Sequence, residues 1–549
     1  MARSKSTPET KSIVNNPVRK KANSDRNFNF NINLMGNYSG ASQKSVFKGF
    51  FATGGDANST DLKELPELRN RSEAIVRNST IGKAVINAMV DGAIGSGLHF
   101  QPSIDRDFLH LTEVEAQIHE KDKYQRFRFH SESKKIDYYN KTNFRGLQRQ
   151  ALRSMLVRGD CFALLRYDER PHSPYNLRVQ LLEADRVSNP NNMEDGSFLS
   201  PSLGFGLSAT DQVFGGIAHD KKGIRKGIFI QTPHPGSYTL NTKQARWEYI
   251  SFFGINTGLQ QVLHIADLER IGQDRGVSVL SPIIELVLQH GRYREAEVMA
   301  AVINAILTVS IERNPPESQL DKLYGEELDD DGNVINKPWQ GNDYELGPGT
   351  MIENAPYEKA NMMSANRPSN QFDPFFISVV KEIGMAMRIP FELLLNDFNS
   401  SYSASRAAML QGKKTYMAMM ELFVENFCQP VWDAFNFECV VRHMISADGY
   451  IEDQMIRHAY NGVYWIAPPI GAIDELKEAN AAAKRVQMGV SALSLESPKL
   501  TGYNYHDVCR IQAEDKKVAK SYGLNFDDVK TSMLNERQLN DKMNGNIEE

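Results

Sequence analysis

Between Leu263 and Val309 the chain reads LHIADLERIGQDRGVSVLSPIIELVLQHGRYREAEVMAAVINAILTV, a polar turn that feeds a long helical pattern. Gly272 and Gly276 permit a tight turn around Gln273, Asp274 and Arg275. Ser281 and Pro282 then stand where a helix is capped and its first turn begins. About 27 helix-compatible residues follow, roughly 40 Å of rod at 1.5 Å per residue. Globular helices usually run roughly 8–20 residues. A chain that keeps one this long is built around a strut, which points to a structural part and away from an enzyme.

The rest of the chain is organised by its punctuation. At 549 residues it is too long for one core and should divide into two to four domains. Residues 1 to about 58 are rich in Asn, Ser, Lys and Gly, and the first 26 hold seven Lys or Arg against two acids, the pattern of a flexible basic arm. From Asp61 to Phe100 a helical pattern puts Ile75, Val76, Ile81, Ala84, Val85, Ala88 and Met89 on an apolar face, until Gly92, Gly95 and Gly97 end it. Between Asn143 and Ile265 a helix gives way to short apolar runs, CFALLRY, LRVQLLEA, GIFIQT, ARWEYISFF and QVLHIA, which predict strands and an α+β class. After the long helix, residues 311 to 370 hold six prolines and the acidic run Glu326, Glu327, Asp329, Asp330 and Asp331. That is too long for a connection and predicts a small projecting module. A second helix is predicted from Asp373 to Met387, and strong helix formers recur from Ala479 to Val486.

Composition and missing motifs narrow the function. A net charge of −5 disfavours a protein that grips DNA through a basic footprint, while leaving room for one that surrounds DNA. Gly82-Lys83 and Gly412-Lys413 lack the preceding glycine of a phosphate-binding loop, and neither a zinc-helix nor an EF-hand spacing occurs. Gly95-Ser96-Gly97 lacks the spacing of a nucleophile elbow. His264 with Asp267 reads as a turn hydrogen bond. Cys161, Cys428, Cys439 and Cys509 are widely spaced and read as reduced, buried thiols. No cofactor or metal is expected. Glu297 and Asn304 interrupt the greasiest segment, so no membrane span is expected, nor a signal peptide, and a cytoplasmic chain follows.

Five stretches, in order, carry a resemblance. They are LRNRSEAIVRNSTIGKAVINAMVDGAIGSGLHFQPS from Leu68, LRSMLVRGDCFALLRY from Leu152 with VQLLEADRVSNP after it, the DRG-V-S-V-L-S-P-I-I turn with YREAEVMAAVINA, IPFELLLNDFNSSYSASRAAML from Ile389, and YWIAPPIGAIDELKEANAAAKRVQMGVSAL from Tyr464. Together they resemble the lambda-type family of tailed-phage portal proteins over most of residues 68 to 530. Departures are local: Trp465 precedes Pro468 and Pro469, and Ile473-Asp474-Glu475 replaces the family's D-P step.

That resemblance implies an α+β portal fold assembled as a ring of twelve copies. It divides the chain into a flexible arm (1–60), a wing (61–280), a first stem helix (281–310), a clip (311–370), a second stem helix (371–390), a tunnel loop (391–405), a wing helix (406–440), a crown (441–530) and a tail (531–549). Asn396, Asn399, Ser400, Ser401, Tyr402 and Ser403 become the tunnel loop, whose small and amide side chains touch phosphate without the tight attachment of a cation. Lys413 and Lys414 are candidate phosphate contacts on the following helix, or simply solvent-exposed. Glu285, Gln289, Arg292 and Glu295, spaced by four, three and three, share one face of the first stem helix. That face meets a neighbouring subunit, lines the channel, or is solvated, and Arg292 and Arg294 against Glu295 and Glu297 are candidate inter-subunit pairs. The acidic clip run is a candidate partner surface.

The implied function is a portal at one capsid vertex of a virion, assembled in the host cytoplasm. It passes double-stranded DNA during packaging and ejection and meets the terminase large subunit, a head-completion or connector protein, and the major capsid and scaffold proteins. The competing reading is a non-portal DNA-binding protein or an enzyme of undetermined chemistry, for which the long helix is an ordinary scaffold.

Overall fold

The computed structural model describes residues 48–49, 54–238, 245–305, 309–313, 327–328, 330, 334–336, 358–362, 372–397, 401–467, 475–503 and 505–523. The chain divides into two compact units, Met1–Gly54 and Gly55–Glu549. Nearly all of the first lies outside the described residues, and with it most of the expected basic arm. Its expected extent to residue 60 is too long, because Ala57–Asp61 forms a short helix, α1, capped by Asp56. Asn58 of α1 docks on Asp274 through a side-chain bond of 2.6 Å.

Two helices replace the single pattern expected from residue 61, α2 (Leu65–Asn78) and α3 (Thr80–Ala93). Ser79 separates them: its backbone is extended and its hydroxyl accepts the Gly82 N–H at 3.3 Å, so the second helix starts afresh. Strand β1 (His99–Pro102) follows, then α4 (Glu113–Glu132), opened by a capping box of Thr112 and Glu115. Sequence reading misses α4, and the burial explains why. Ala116 and Phe127 face the core while Val114, Ile118 and Phe129 face solvent, so apolar residues on both sides erase the helical period.

Helix α5 (Phe144–Arg158) runs into β2 (Asp160–Tyr167), which pairs antiparallel with β3 (Leu177–Glu183) on one side and with a later strand, β9 (Val262–Ala266), on the other. Alternation along β2 serves two cores. Cys161, Ala163 and Leu165 join the main core, while Phe162 and Leu164 join a second. That second core is closed by a five-stranded antiparallel sheet, β4 (Ser197–Phe198), β5 (Gln212–Phe214), β6 (Ile217–His219), β7 (Arg225–Thr232) and β8 (Arg246–Ser251), which contributes Ile217, Ile228 and Ile230. All five strands expected from apolar runs are present, and the α+β class holds.

The main core draws on distant parts of the chain. Phe127 meets Trp432 at 5.1 Å, edge to face, and Phe435 at 5.1 Å. These come from α10 (Gln429–Val441), which follows α9 (Tyr402–Phe423) through a π-helical turn, Val424–Cys428. After α11 (Gln454–Tyr460), strand β14 (Val463–Ile466) pairs with β1, so residues more than 350 apart in sequence share one ribbon. Lys123 is buried here, its ammonium donating to the Tyr460 carbonyl at 2.5 Å. Helices α12 (Glu475–Gln487), α13 (Leu493–Thr501) and α14 (Tyr505–Ser521) follow; α12 buries only Ala482 and α14 only Ala519.

The strut is a 3-10 turn, Ser281–Ile283, and then α6 (Ile284–Ala305). Pro282 sits in the first turn as expected, whereas Ser281 makes no side-chain cap. The second helix, α7 (Phe372–Met387), appears as predicted. Ile283, Ile284 and Val287 of the first element pack with Val379, Ile383 and Met387 of the second in the main core. His290 meets Phe376 at 5.0 Å and Tyr293 meets Phe375 at 4.6 Å, so the helices run antiparallel. Beyond α6, strand β10 (Val309–Arg313) pairs with β13 (Glu358–Met362), and β11 (Glu327–Leu328) with β12 (Val334–Asn336). Among the described residues, no helix is long and apolar enough to cross a membrane.

Candidate functional site

Two sequence motifs that lie 115 residues apart interlock at the root of the strut. Arg158-Gly159-Asp160 closes α5 and opens β2, while Asp274-Arg275-Gly276 precedes α6. Gly159 has φ +88°, and a Cβ on either Gly159 or Gly276 would collide with the carbonyl of the other. This contact presents Asp160, fully buried, to two guanidiniums. Arg275 grips it bidentately, Nε to Oδ2 at 2.6 Å and Nη2 to Oδ1 at 3.1 Å, and Arg69 of α2 adds a bond of 3.2 Å. The Gly276 N–H donates to the same carboxylate at 3.3 Å.

Burial works to raise the Asp160 carboxyl, but Arg275 and Arg69 with hydrogen bonds from His264 and Arg275 hold it well below the usual carboxylate range. Arg275 also donates to the Val187 carbonyl at 2.8 Å and the Ala184 carbonyl at 2.7 Å, in the turn after β3, and to the Gly215 carbonyl between β5 and β6, tying both sheets to the strut. His264 does not bond Asp267 as expected. Its Nδ1 accepts from Arg225 at 2.7 Å, so Nε2 donates to Asp160 at 3.3 Å, and the ring stacks on Phe162 at 4.4 Å. Burial pushes His264 down to about 4, against the pull of Asp160, so the ring is neutral at neutral pH. Arg225 lies 3.8 Å from Asp274, which His219 and Asn58 also hold. The network thus runs from α1 through the sheets to α2 and the first residues of the strut.

Along α6, Glu285, Gln289, Arg292 and Glu295 all lie exposed on the face away from α7, with Gln289 donating to Glu285 at 2.8 Å. Arg294 is exposed too, but Glu297 is buried and so leaves the expected surface pairing. Leu288, Val298, Met299 and Val302 are 48–63% exposed, an apolar load that solvent alone does not favour.

The segment expected as the tunnel loop, residues 391–405, opens with a short helix, α8 (Phe391–Leu395). Asn396 ends that helix in the left-handed conformation and is exposed. Ser401 is the N-cap of α9, accepting the Ala404 N–H at 3.4 Å, and Ser403 is exposed in its first turn. Tyr402 is the first residue of α9, while Asn399 and Ser400 lie outside the described residues. Lys413 and Lys414 are exposed on α9, well past the cap. Of the acidic run, Glu326, Asp329 and Asp331 lie outside the described residues, Glu327 is placed in β11 by its backbone, and Asp330 is exposed in a turn. Cys161, Cys428 and Cys439 are buried free thiols, but Cys509 is exposed, on the outer side of α14. No group of three or more His, Cys, Asp and Glu among the described residues is arranged to hold a metal.

A family model for lambda-family phage portal proteins matches residues 43–419, which includes the root motifs, both strut helices and the start of α9. The chain belongs to that family. Family membership makes it a portal protein of a bacteriophage virion, acting at a capsid vertex as a structural component and not an enzyme. The portal protein of Escherichia phage N15 is 21% identical over 489 residues, 85% of this chain and 88% of that one. Portal protein B of Escherichia phage lambda is 20% identical over 486 residues, 85% and 87% of the two chains. Among solved structures, the neck of a native GTA particle computed with C12 symmetry covers 80% of this chain and 93% of its own at 12% identity, with a TM-score of 0.39. The virion of a native gene transfer agent particle covers 74% and 94% at 10% identity, with a TM-score of 0.34. The family assignment rests on the sequence matches.

Proposed function

We propose that this chain closes into a ring, with twelve copies as the number implied by the family, and that its two strut helices form the wall of a channel for double-stranded DNA. The observation that carries the reading is the outer face of α6, where Leu288, Val298, Met299 and Val302 stand exposed among charged residues beside a well-buried inner spine. A monomer leaves that surface in water, and a head-to-tail contact between copies covers it. In this reading Asn396 and Ser403, with Asn399, Ser400, Ser401 and Tyr402, form the loop nearest the DNA, and neutral donors there favour sliding over attachment. Lys413 and Lys414 stand farther along α9 as phosphate contacts. The strands after α6, with Asp330 and the neighbouring acids, face the terminase large subunit during packaging and a head-completion or connector protein afterwards. Assembly takes place in the host cytoplasm beside the major capsid and scaffold proteins.

Mass photometry with negative-stain microscopy of the full chain tests the reading. Rings with a central hole and a mass of about a dozen subunits are the expected result. A homogeneous monomer or dimer at high concentration, even beside scaffold protein, overturns it.

A further inference from the structure

The strut carries two exposed ridges of matching character, one on each helix. Along α6, Glu285, Leu288, Arg292, Glu295 and Met299 follow one another at steps of three and four, and all are exposed. Along α7, Asp373, Ile377, Lys381 and Met385 follow at steps of four and are exposed as well. Asp373, Pro374, Ile377, Ser378 and Lys381 line a shallow groove of about 380 Å³. Among the described residues neither Arg292 nor Asp373 has an ion-pair partner within the chain. Lys381 rests over the Phe391 ring at 4.8 Å and Glu285 accepts the Gln289 amide, and among the described residues neither has an oppositely charged partner.

Heights along the strut decide which residues would meet. The contacts of His290 with Phe376 and of Tyr293 with Phe375 set the antiparallel register of the two helices. Glu285 then lies level with Lys381 and Glu382. Leu288 and Arg292 each lie within about two residues, roughly 3 Å along a helix, of the heights of Ile377 and Asp373. A closed ring is generated by rotation alone, which changes no residue's height along the axis, so with the strut upright in the ring, residues that are level within one copy stay level across the seam. Acid therefore comes level with base, apolar with apolar, and base with acid. Two members are unfavourable: Glu382, beside Lys381 at the height of Glu285, and Glu295, at the height of Asp373 with Arg292 and Arg294 close by in sequence.

We propose that in the ring the outer face of α6 docks in the α7 groove of the next copy. Glu285 stands opposite the partner's Lys381, Leu288 packs over the partner's Ile377, and Arg292 stands opposite the partner's Asp373. The inference rests on the ring reading above and adds its pairing. It makes the line Glu285, Gln289, Arg292 and Glu295 a seam between subunits and turns it away from the DNA.

Charge reversal in the full chain tests it, with ring content read by mass photometry and the fold of each variant by circular dichroism. E285K and K381E alone should each lower the ring population by about tenfold, because every interface in a ring repeats the defect. The double variant E285K/K381E should restore it. So should an equal mixture of the two single variants, since alternating copies then pair opposite charges at every seam, a rescue that a contact within one chain does not produce. R292E with D373R should behave in the same way. Wild-type rings whose population is unmoved by the single reversals, or lost in both and rescued by neither the double variant nor the mixture, overturn the pairing and leave the ring standing. A wild-type chain that never forms rings overturns both.

Discussion

At the root of the strut, Asp160 is enclosed by two guanidiniums, an imidazole and a backbone N–H, drawn from widely separated parts of the chain. A few turns of backbone beyond Gly276, Glu285 stands in solvent with only a neighbouring amide, and Arg292 and Asp373 lack any oppositely charged partner among the described residues. The chain places buried charge where its own elements are locked together, and leaves charge and apolar surface open on the outer faces of the strut. The root is therefore satisfied within the chain, and in the proposed ring the strut would be finished by assembly. Substitutions on the two sides should differ in kind: at the root they cost folding, on the strut they cost association.

The largest effect belongs to Asp160→Asn. Removing the charge leaves Arg275 and Arg69 buried without their counter-ion, and breaking such a set costs about 3–5 kcal/mol. Denaturant unfolding followed through the buried Trp432 and Trp465 measures it. A cost below about 1 kcal/mol would erase the contrast between root and strut. Gly159→Ala should cost about 3 kcal/mol in the same assay, because its positive φ and its contact with the Gly276 carbonyl both exclude a Cβ. A neutral result would mean that the two motifs are not interlocked.

Lys123 sharpens the comparison through pH. Burial pushes it down to about 7 from its ordinary 10.5, so between those values the unfolded chain is protonated and the folded chain is not. By linkage, this group makes stability rise with pH from about 7 toward 10.5, by about 1 kcal/mol per unit, and adds no slope below 7. Asp433, pushed up to about 6 by burial, acts in a separate window: it holds its proton more tightly in the fold, so its contribution falls as pH rises from 3.8 to 6. Lys123→Met should flatten the alkaline slope in urea midpoints taken from about pH 7 to about pH 9 while leaving the acidic limb in place. An unchanged alkaline slope would show that the ammonium is not enclosed as its contact with Tyr460 implies.

Much of this division is legible in the amino-acid sequence, but its cause is not. The strut, its proline, the second helix and five strands announce themselves by period and punctuation, because each is a local run of apolar residues bounded by turn residues. The root does not. Gln273, Asp274 and Arg275 look like an exposed turn, yet all three are buried: Gln273 bonds within the turn to Glu269, Arg270 and Arg275, but the groups that satisfy Asp274 and Arg275 come from Asn58, Asp160 and Ala184, far away in sequence. A polar cluster reads as surface until its complement is known. His264 pairs with Asp160 and not with nearby Asp267 for the same reason. Helix α4 is hidden differently, by apolar side chains on both of its faces. The polar line of α6 is visible as a line, while the exposed ridge on α7 can be set against it only through the register between two helices far apart in sequence.

Leu288→Ser is the smallest perturbation and the one that separates folding from assembly most cleanly. Leu288 is 52% exposed, so replacing it removes little buried area and opens no cavity. The stability of the isolated chain should move by no more than about 0.5 kcal/mol. The equivalent change at Leu156, fully buried where α5 meets the root, should cost several times more, since deletion of a core leucine typically costs about 2–5 kcal/mol. If the outer face of α6 is an unfinished interface, Leu288→Ser chains will unfold like wild type at concentrations where they are monomeric, yet form fewer rings as concentration rises. If instead both leucines prove equally costly in the monomer, α6 is held by its own chain on both faces, and the strut needs no neighbour to complete it.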